Sequence, residues 1–153
     1  MKNEQGKMRH ITRWLLGLHA FIGLGAMAGG LMAILYPQGP GGMPVDVLKN
    51  SPFTDFLIPG IILFGFIGLG NIAAAVTMLC KNRYQGYISS VMGWGLMIWI
   101  VVQCIMLWSI VHLHVIFFCL GAVQAALAMA ILFLRRQFPA NIALAILDAC
   151  KRR

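Results

Sequence analysis

The sequence predicts an all-α membrane protein, with four transmembrane helices in a compact bundle and a short amphipathic helix after the last. Three observations carry this. The 153 residues are 60% hydrophobic and only 10% charged, whereas a soluble domain carries roughly 25% charge to wet its surface. The charges lie at the ends of long uncharged runs. Those runs are long enough to cross a hydrocarbon core about 30 Å thick, which needs about 20 helical residues. The runs lack the alternation of barrel strands, and unpaired backbone is too costly in lipid, so helices are the expected spanning form. The same composition excludes a soluble enzyme, a coiled coil and a disordered chain.

The first span is expected at about 14–36, inside the uncharged stretch from Trp14 to Val45. Its basic start and Ala26-Met27-Ala28 also fit a secretory leader with a small-residue cleavage site, but the apolar run continues through Leu31, Ile34 and Leu35, longer than a leader core. The second span is expected at about 57–79. Pro59-Gly60, one turn in, should kink or loosen it. The third run extends from Tyr84 to Leu134, 51 residues without a formal charge. As one helix it would reach about 77 Å, so it must fold back. The least apolar stretch, Ser109 to His114, is where a turn is expected, between spans at about 88–108 and 115–134.

The connection 37–55 is the only long loop. Pro37-Gln38-Gly39-Pro40-Gly41-Gly42 is rich in turn formers, Pro44 to Leu48 suits a short interfacial helix, and Ser51-Pro52-Phe53-Thr54-Asp55 reads as a helix start with Ser51 as N-cap. An ordered loop bearing Asp46, Ser51, Pro52, Phe53 and Asp55 is thus expected at the bundle mouth, as a surface for another membrane protein. The segment 137–153 is too short to span and reads as an interfacial helix with Lys151 to Arg153 at headgroups.

Charge gives the orientation. The net charge is +8, from 12 Lys and Arg against 4 Asp and Glu. Eleven of the basic residues flank the spans on one side, with Lys49 alone on the other. The positive-inside rule then places both termini in the cytoplasm. Aromatic anchors fit at both interfaces: Trp14, Tyr84 and Tyr87 inside, Tyr36, Phe53 and Trp108 outside. The basic excess serves topology and anionic lipid headgroups, so no nucleic-acid partner is implied.

Inside lipid, close backbone contact drives helix association, and small residues four apart mark it. Gly25 with Gly29, Gly70 with Ala74, Ser89 with Gly93, and Gly121 with Ala125 are the expected packing pairs, within one chain or in a homo-oligomer. Chemistry-bearing residues are sparse. No Asp, Glu, Lys or Arg falls at membrane depth, which argues against a proton-coupled antiporter or a channel for charged substrates. Asn71, Gln103 and Gln124 are the polar residues at depth, either interhelical hydrogen-bonding groups or the lining of a ligand path; His19 suits one interhelical hydrogen bond. Cys104 and Cys119 are equidistant from the turn and could meet as a redox pair, although neither belongs to a Cys-x-x-Cys motif and Cys80 and Cys150 should face the cytoplasm. His112 and His114 offer two metal ligands without a third fixed by spacing. No Walker loop, Ser/His/Asp set or paired carboxylate motif is present, and no cofactor is implied.

The run from Gly42 to Gly60 (GMPVDVLKNSPFTDFLIPG), followed by Gly65 and Gly68, together with Ile98-Trp99-Ile100-Val101-Val102-Gln103, resembles a family of small bacterial four-span membrane proteins. The resemblance covers about Trp14 to Leu134 and implies the topology, without an activity. Many members carry an acid where this chain has Gln103, so a charge-dependent role there is not implied. The architecture is also loosely similar to DoxX-like four-helix proteins, an analogy of shape alone. The functional expectations are, in order, a non-enzymatic helper or interaction protein, a small transporter or lipid-binding protein for an uncharged or amphipathic ligand, and a membrane thiol/quinone redox enzyme.

Overall fold

The computed structural model describes residues 2–138 and 141–142. Most of the tail expected over 137–153, Cys150 included, lies outside the described residues. Among those described, the chain is all-helical, and four of its helices are long and apolar enough to cross a membrane. We label them α1 (Lys2–Leu35), α2 (Leu57–Leu79), α3 (Gln85–Leu107) and α4 (His112–Leu134). Their exposed faces are apolar, with Phe21, Ile61, Phe66, Ile98, Ile105 and Val123 all turned outward.

Several boundaries differ from the sequence expectation. Helix α1 begins at Lys2 rather than near Trp14, because nothing between Lys2 and Arg13 breaks a helix; its 34 residues reach about 51 Å. The turn between α3 and α4 is tighter than expected, covering 108–111. Trp108 ends α3 in the left-handed conformation (φ 46°), and His112 and His114 already belong to the first turn of α4. Ser51 does not start α2. Its Oγ accepts from the Phe53 N–H at 3.2 Å in a local turn, and the helix begins at Leu57, whose N–H donates to Asp55 Oδ1 at 3.0 Å.

Pro59 sits in the first turn of α2, where its missing N–H leaves no intrahelical bond unmade. The loosening comes further along, in a π-helical stretch Leu63–Leu69 whose bonds run to the fifth residue back. The α2 and α4 ends that carry Lys81 and Arg136 close with Schellman motifs. Asn82 N–H donates to Thr77 O and Lys81 N–H to Met78 O; Gln137 N–H donates to Leu132 O and Arg136 N–H to Phe133 O. Lys81 and Arg136 both hold φ of 50°, a conformation that β-branched residues resist. Lys81→Val should therefore cost about 1 kcal/mol relative to Lys81→Gly, readable as separate melting curves in detergent; coincident curves would rule out this cap geometry.

The helices form a ring in the order α1, α2, α3, α4, built from two tight hairpins, α1/α2 and α3/α4, that meet across thinner seams. Apolar side chains stack in three layers along the bundle. At the end carrying the 36–56 loop, Ala33, Leu48, Phe56 and Met106 pack together. In the middle lie Ile22, Ala26, Ile67, Leu96, Trp99 and Ile100. At the opposite, basic end lie Leu15, Met78, Ala128 and Ile131. The loop is folded onto its end of the bundle through two short 3-10 turns, Pro40–Gly42 and Val45–Leu48: Leu48 and Phe56 are buried and Phe53 is half-buried, while Asp46 and Pro52 remain exposed.

Glycine brings the backbones together, but not at all the expected positions. A Cβ on Gly30 would stand 2.6 Å from the Phe64 backbone nitrogen, and one on Gly60 would stand 3.0 Å from Gly30 O. Gly23, Gly30, Gly60 and Gly68 thus make the α1–α2 contact. Gly25 has open space around it, and Gly29 meets only Leu63 Cδ2 at 3.6 Å; the expected pair lies on a neighbouring face of α1. Within α3/α4, a Cβ on Gly93 would stand 2.7 Å from Ala125 N, and one on Gly121 3.2 Å from Gly93 O. Gly70 lies under the Met92 side chain, and Ala74 is fully buried.

Candidate functional site

Polar residues at depth separate into two places. The first is a closed cluster between the middle and basic-end layers, with one residue from each helix: His19 (α1), Asn71 (α2), Ser89 (α3) and Gln124 (α4), all fully buried. The Asn71 amide is oriented by its own helix, since Nδ2 donates to Ile67 O at 2.8 Å. Its Oδ1 therefore faces inward and accepts from His19 Nδ1–H and from Gln124 Nε2–H, both at 2.7 Å. With the neutral ring's proton on Nδ1, Nε2 accepts from the Ser89 hydroxyl at 2.9 Å. Gln124 Nε2 also touches His19 Nδ1 at 2.6 Å, two donors pressed against one shared acceptor, and Gln124 Oε1 has no partner. In lipid each such bond contributes about 0.6 kcal/mol. The cluster's work is to fix how the four helices meet, because a misaligned helix would strand an amide in an apolar interior.

The second place is a cavity of about 540 Å³ between the loop-end and middle layers, within the range of small-molecule sites. Gly25 and Gly29 line it, which is why no neighbour fills the space beside them. Ile22, Ile67 and Leu96 form its floor. Its wall is almost wholly apolar and carries no formal charge, with polar groups from Gln103, Ser109, His114 and Trp99. Two of these lack partners. Trp99 is 7% exposed and its Nε1–H is unpaired. Gln103, half-buried on the wall, makes no side-chain hydrogen bond among the described residues. An unsatisfied buried donor costs about 1–3 kcal/mol, so an acceptor brought in by a ligand gains disproportionately there.

Asn71, Gln103 and Gln124 are therefore not one path. Gln103 lies on the cavity, and the other two belong to the cluster beneath its floor. The separation follows from level along the bundle: Gln103 lies 14 residues after Ser89 on α3, nearly four whole turns or about 21 Å nearer the loop end, on a similar face. The role of His19 as hub exceeds the single bond expected of it, because both ring nitrogens are engaged. Trp99 escaped sequence reasoning, although its position gave a signal: tryptophan in spans concentrates at interfaces, and this one is mid-span.

The other candidate groups do not assemble. Cys104 is partly buried against the middle layer and Cys119 is exposed; both thiols are free, so the possible redox pair is unformed. His112 is exposed, while His114 is buried and its Nδ1 accepts from Val111 N–H at 3.3 Å. The two rings diverge because residues two apart on a helix point about 200° from each other. Among the described residues no three His, Cys, Asp or Glu side chains gather as metal ligands. A comparison with known proteins finds no matching family model, curated protein or solved structure.

Proposed function

We propose that this is an integral membrane protein without catalytic activity that binds an uncharged or amphipathic ligand in the cavity at its loop end. The observation that carries the reading is an apolar, charge-free cavity whose wall holds the buried Trp99 N–H without a partner and the half-buried Gln103, which makes no side-chain hydrogen bond among the described residues. In this reading the four helices span a bacterial inner membrane with both termini cytoplasmic, following the basic residues. The cavity then lies in the outer half of the membrane, and Arg83, Arg135 and Arg136 meet anionic headgroups on the inner side. The reading is preferred over docking of a partner protein through the 36–56 loop, whose apolar side chains Leu48, Phe53 and Phe56 are already used against this bundle.

The test is native mass spectrometry from lipid nanodiscs. A ligand retained after mild delipidation is expected for the unaltered chain and lost in Gly29→Leu. A Cβ at Gly29 makes only an ordinary contact, so leucine fills the cavity without forcing the helices apart, and the melting temperature should hold. Gln103→Leu should weaken retention roughly tenfold, the equivalent of one lost hydrogen bond of about 1.4 kcal/mol. Equal ligand occupancy in all three proteins would count decisively against the cavity.

A further inference from the structure

Resting on the cavity-binding reading, we propose that the occupant is an acyl chain of a membrane glycerolipid. It reaches the cavity sideways through a groove between α3 and α4, and its ester carbonyl is held at the level of Gln103, Ser109 and His114. The seams of the bundle favour this route. The α1–α2 seam is shut by backbone contact at Gly30, Gly60 and Gly68. The α1–α4 seam is covered at the level of Phe21 and Phe117, stacked with centroids 6.5 Å apart and planes 8° from parallel, while nearer the loop end the cavity lining includes the exposed Met32 and Leu113. At the α2–α3 seam, Phe66 lies against Gly95. The loop-end face is capped by Leu48 and Phe56.

The α3–α4 seam differs along its length. The helices touch at Gly93, Gly121 and Ala125. Two turns nearer the loop end a groove of about 650 Å³ opens between them, lined by Val101, Cys104, Ile105, Trp108, Val115 and Phe118 among others. Ile100, Ser109 and His114 line both this groove and the cavity. The two spaces therefore share a wall, and the outer one faces the apolar belt of the bundle.

Depth and chemistry select an acyl ester. Helix α3 has 23 residues, about 34 Å, so its ends fall just beyond a hydrocarbon core of about 30 Å, at the boundary where glycerol esters sit. Gln103 lies about 6 Å inside that end. The groups grading inward from the boundary are donors without charge: the Ser109 hydroxyl, His114 with Nδ1 already accepting and its proton on Nε2, and the Gln103 amide. They suit a neutral carbonyl oxygen. Beyond them the wall is apolar down to Ile22, Ile67 and Leu96, save for the Trp99 N–H one turn below Gln103, and a charged headgroup has no counterpart inside, so it stays at the membrane surface.

Trp99 makes this testable, because bromine on an acyl chain quenches tryptophan at close range. The other tryptophans, Trp14, Trp94 and Trp108, are 72%, 52% and 77% exposed and can be replaced by phenylalanine in the full chain. In phosphatidylcholine vesicles with brominated acyl chains, the Trp99-only protein should lose roughly half or more of its emission, as expected of a pocket that buries most of its ligand. Adding Gly29→Leu or Ser109→Phe should restore it at an unchanged melting temperature, while a Trp94-only protein stays quenched in every background and reports that α3 lies in the lipid. Unquenched Trp99, or quenching indifferent to Gly29→Leu, overturns the proposal. Quenching that survives Ser109→Phe overturns the lateral route. If a brominated long-chain methyl ketone in unbrominated vesicles quenches Trp99 and brominated phospholipid does not, the occupant is a free carbonyl compound and the lipid assignment falls. A ligand still seen by native mass spectrometry beside unquenched Trp99 would leave cavity binding standing without the acyl chain.

Discussion

Gly30→Leu is expected to unfold the bundle from its α1–α2 side, with a loss of about 3 kcal/mol or more. The reason lies in which atoms a side chain would meet. A Cβ at Gly30 stands 2.6 Å from the Phe64 nitrogen and 2.8 Å from its Cα; these belong to the backbone of another helix and cannot swing aside. Relief requires the helices to separate, and separation removes the Gly60 and Gly68 contacts as well. Gly17→Leu is the control, because nothing lies within 4 Å of a Cβ there and its expected effect is within about 0.5 kcal/mol. The measurement is the folded fraction in detergent as denaturing surfactant is raised, alongside thermal melting. A Gly30→Leu protein melting within about 2 °C of the unaltered one would mean that the α1–α2 contact is not as close as described.

Asn71→Leu is expected to be the second most damaging replacement, at about 2 kcal/mol. Asn71 Oδ1 accepts from two partners, so its removal leaves His19 and Gln124 with buried donors and no acceptor. The mean for a single interhelical bond in lipid is about 0.6 kcal/mol, and the stranded groups raise the cost above it. Gln124→Leu removes one of those donors. The double variant Asn71→Leu/Gln124→Leu should therefore lose less than the sum of the singles, by about 1 kcal/mol. Strict additivity would show that the two amides do not interact.

Helix number, approximate spans and the fold-back within the third run were legible in the sequence, because charge exclusion and hydrophobic length are properties of single residues and short windows. Boundaries were less so. Ser51-Pro52 carries the local chemistry of a helix start, but the chain spends Ser51 on a turn and begins α2 six residues later, after Phe56 has packed on Ala33 and Met106. The packing faces were half legible. Gly93, Gly121 and Ala125 meet at one crossing, whereas Gly25 and Gly29 share their spacing and line a void. Spacing says that two residues share a face; which neighbour that face meets depends on helices up to 100 residues away. The two functional neighbourhoods were hidden for the same reason. Asn71, Gln103 and Gln124 look alike as isolated polar residues in apolar runs, and the level each occupies in the assembled bundle assigns one to the cavity and two to the cluster.

The arrangement of the polar cluster has a consequence for how the two hairpins join. His19 and Asn71 belong to the first hairpin and bond to each other within it. Ser89 and Gln124 belong to the second and bond across to His19 and Asn71 instead. The second hairpin by itself thus holds an amide and a hydroxyl whose partners lie in the first, while the first pairs His19 Nδ1 with Asn71 and leaves His19 Nε2 for Ser89. The cluster's hydrogen bonds are complete only when the second hairpin meets the first in the right orientation, so it selects one way of joining the two halves.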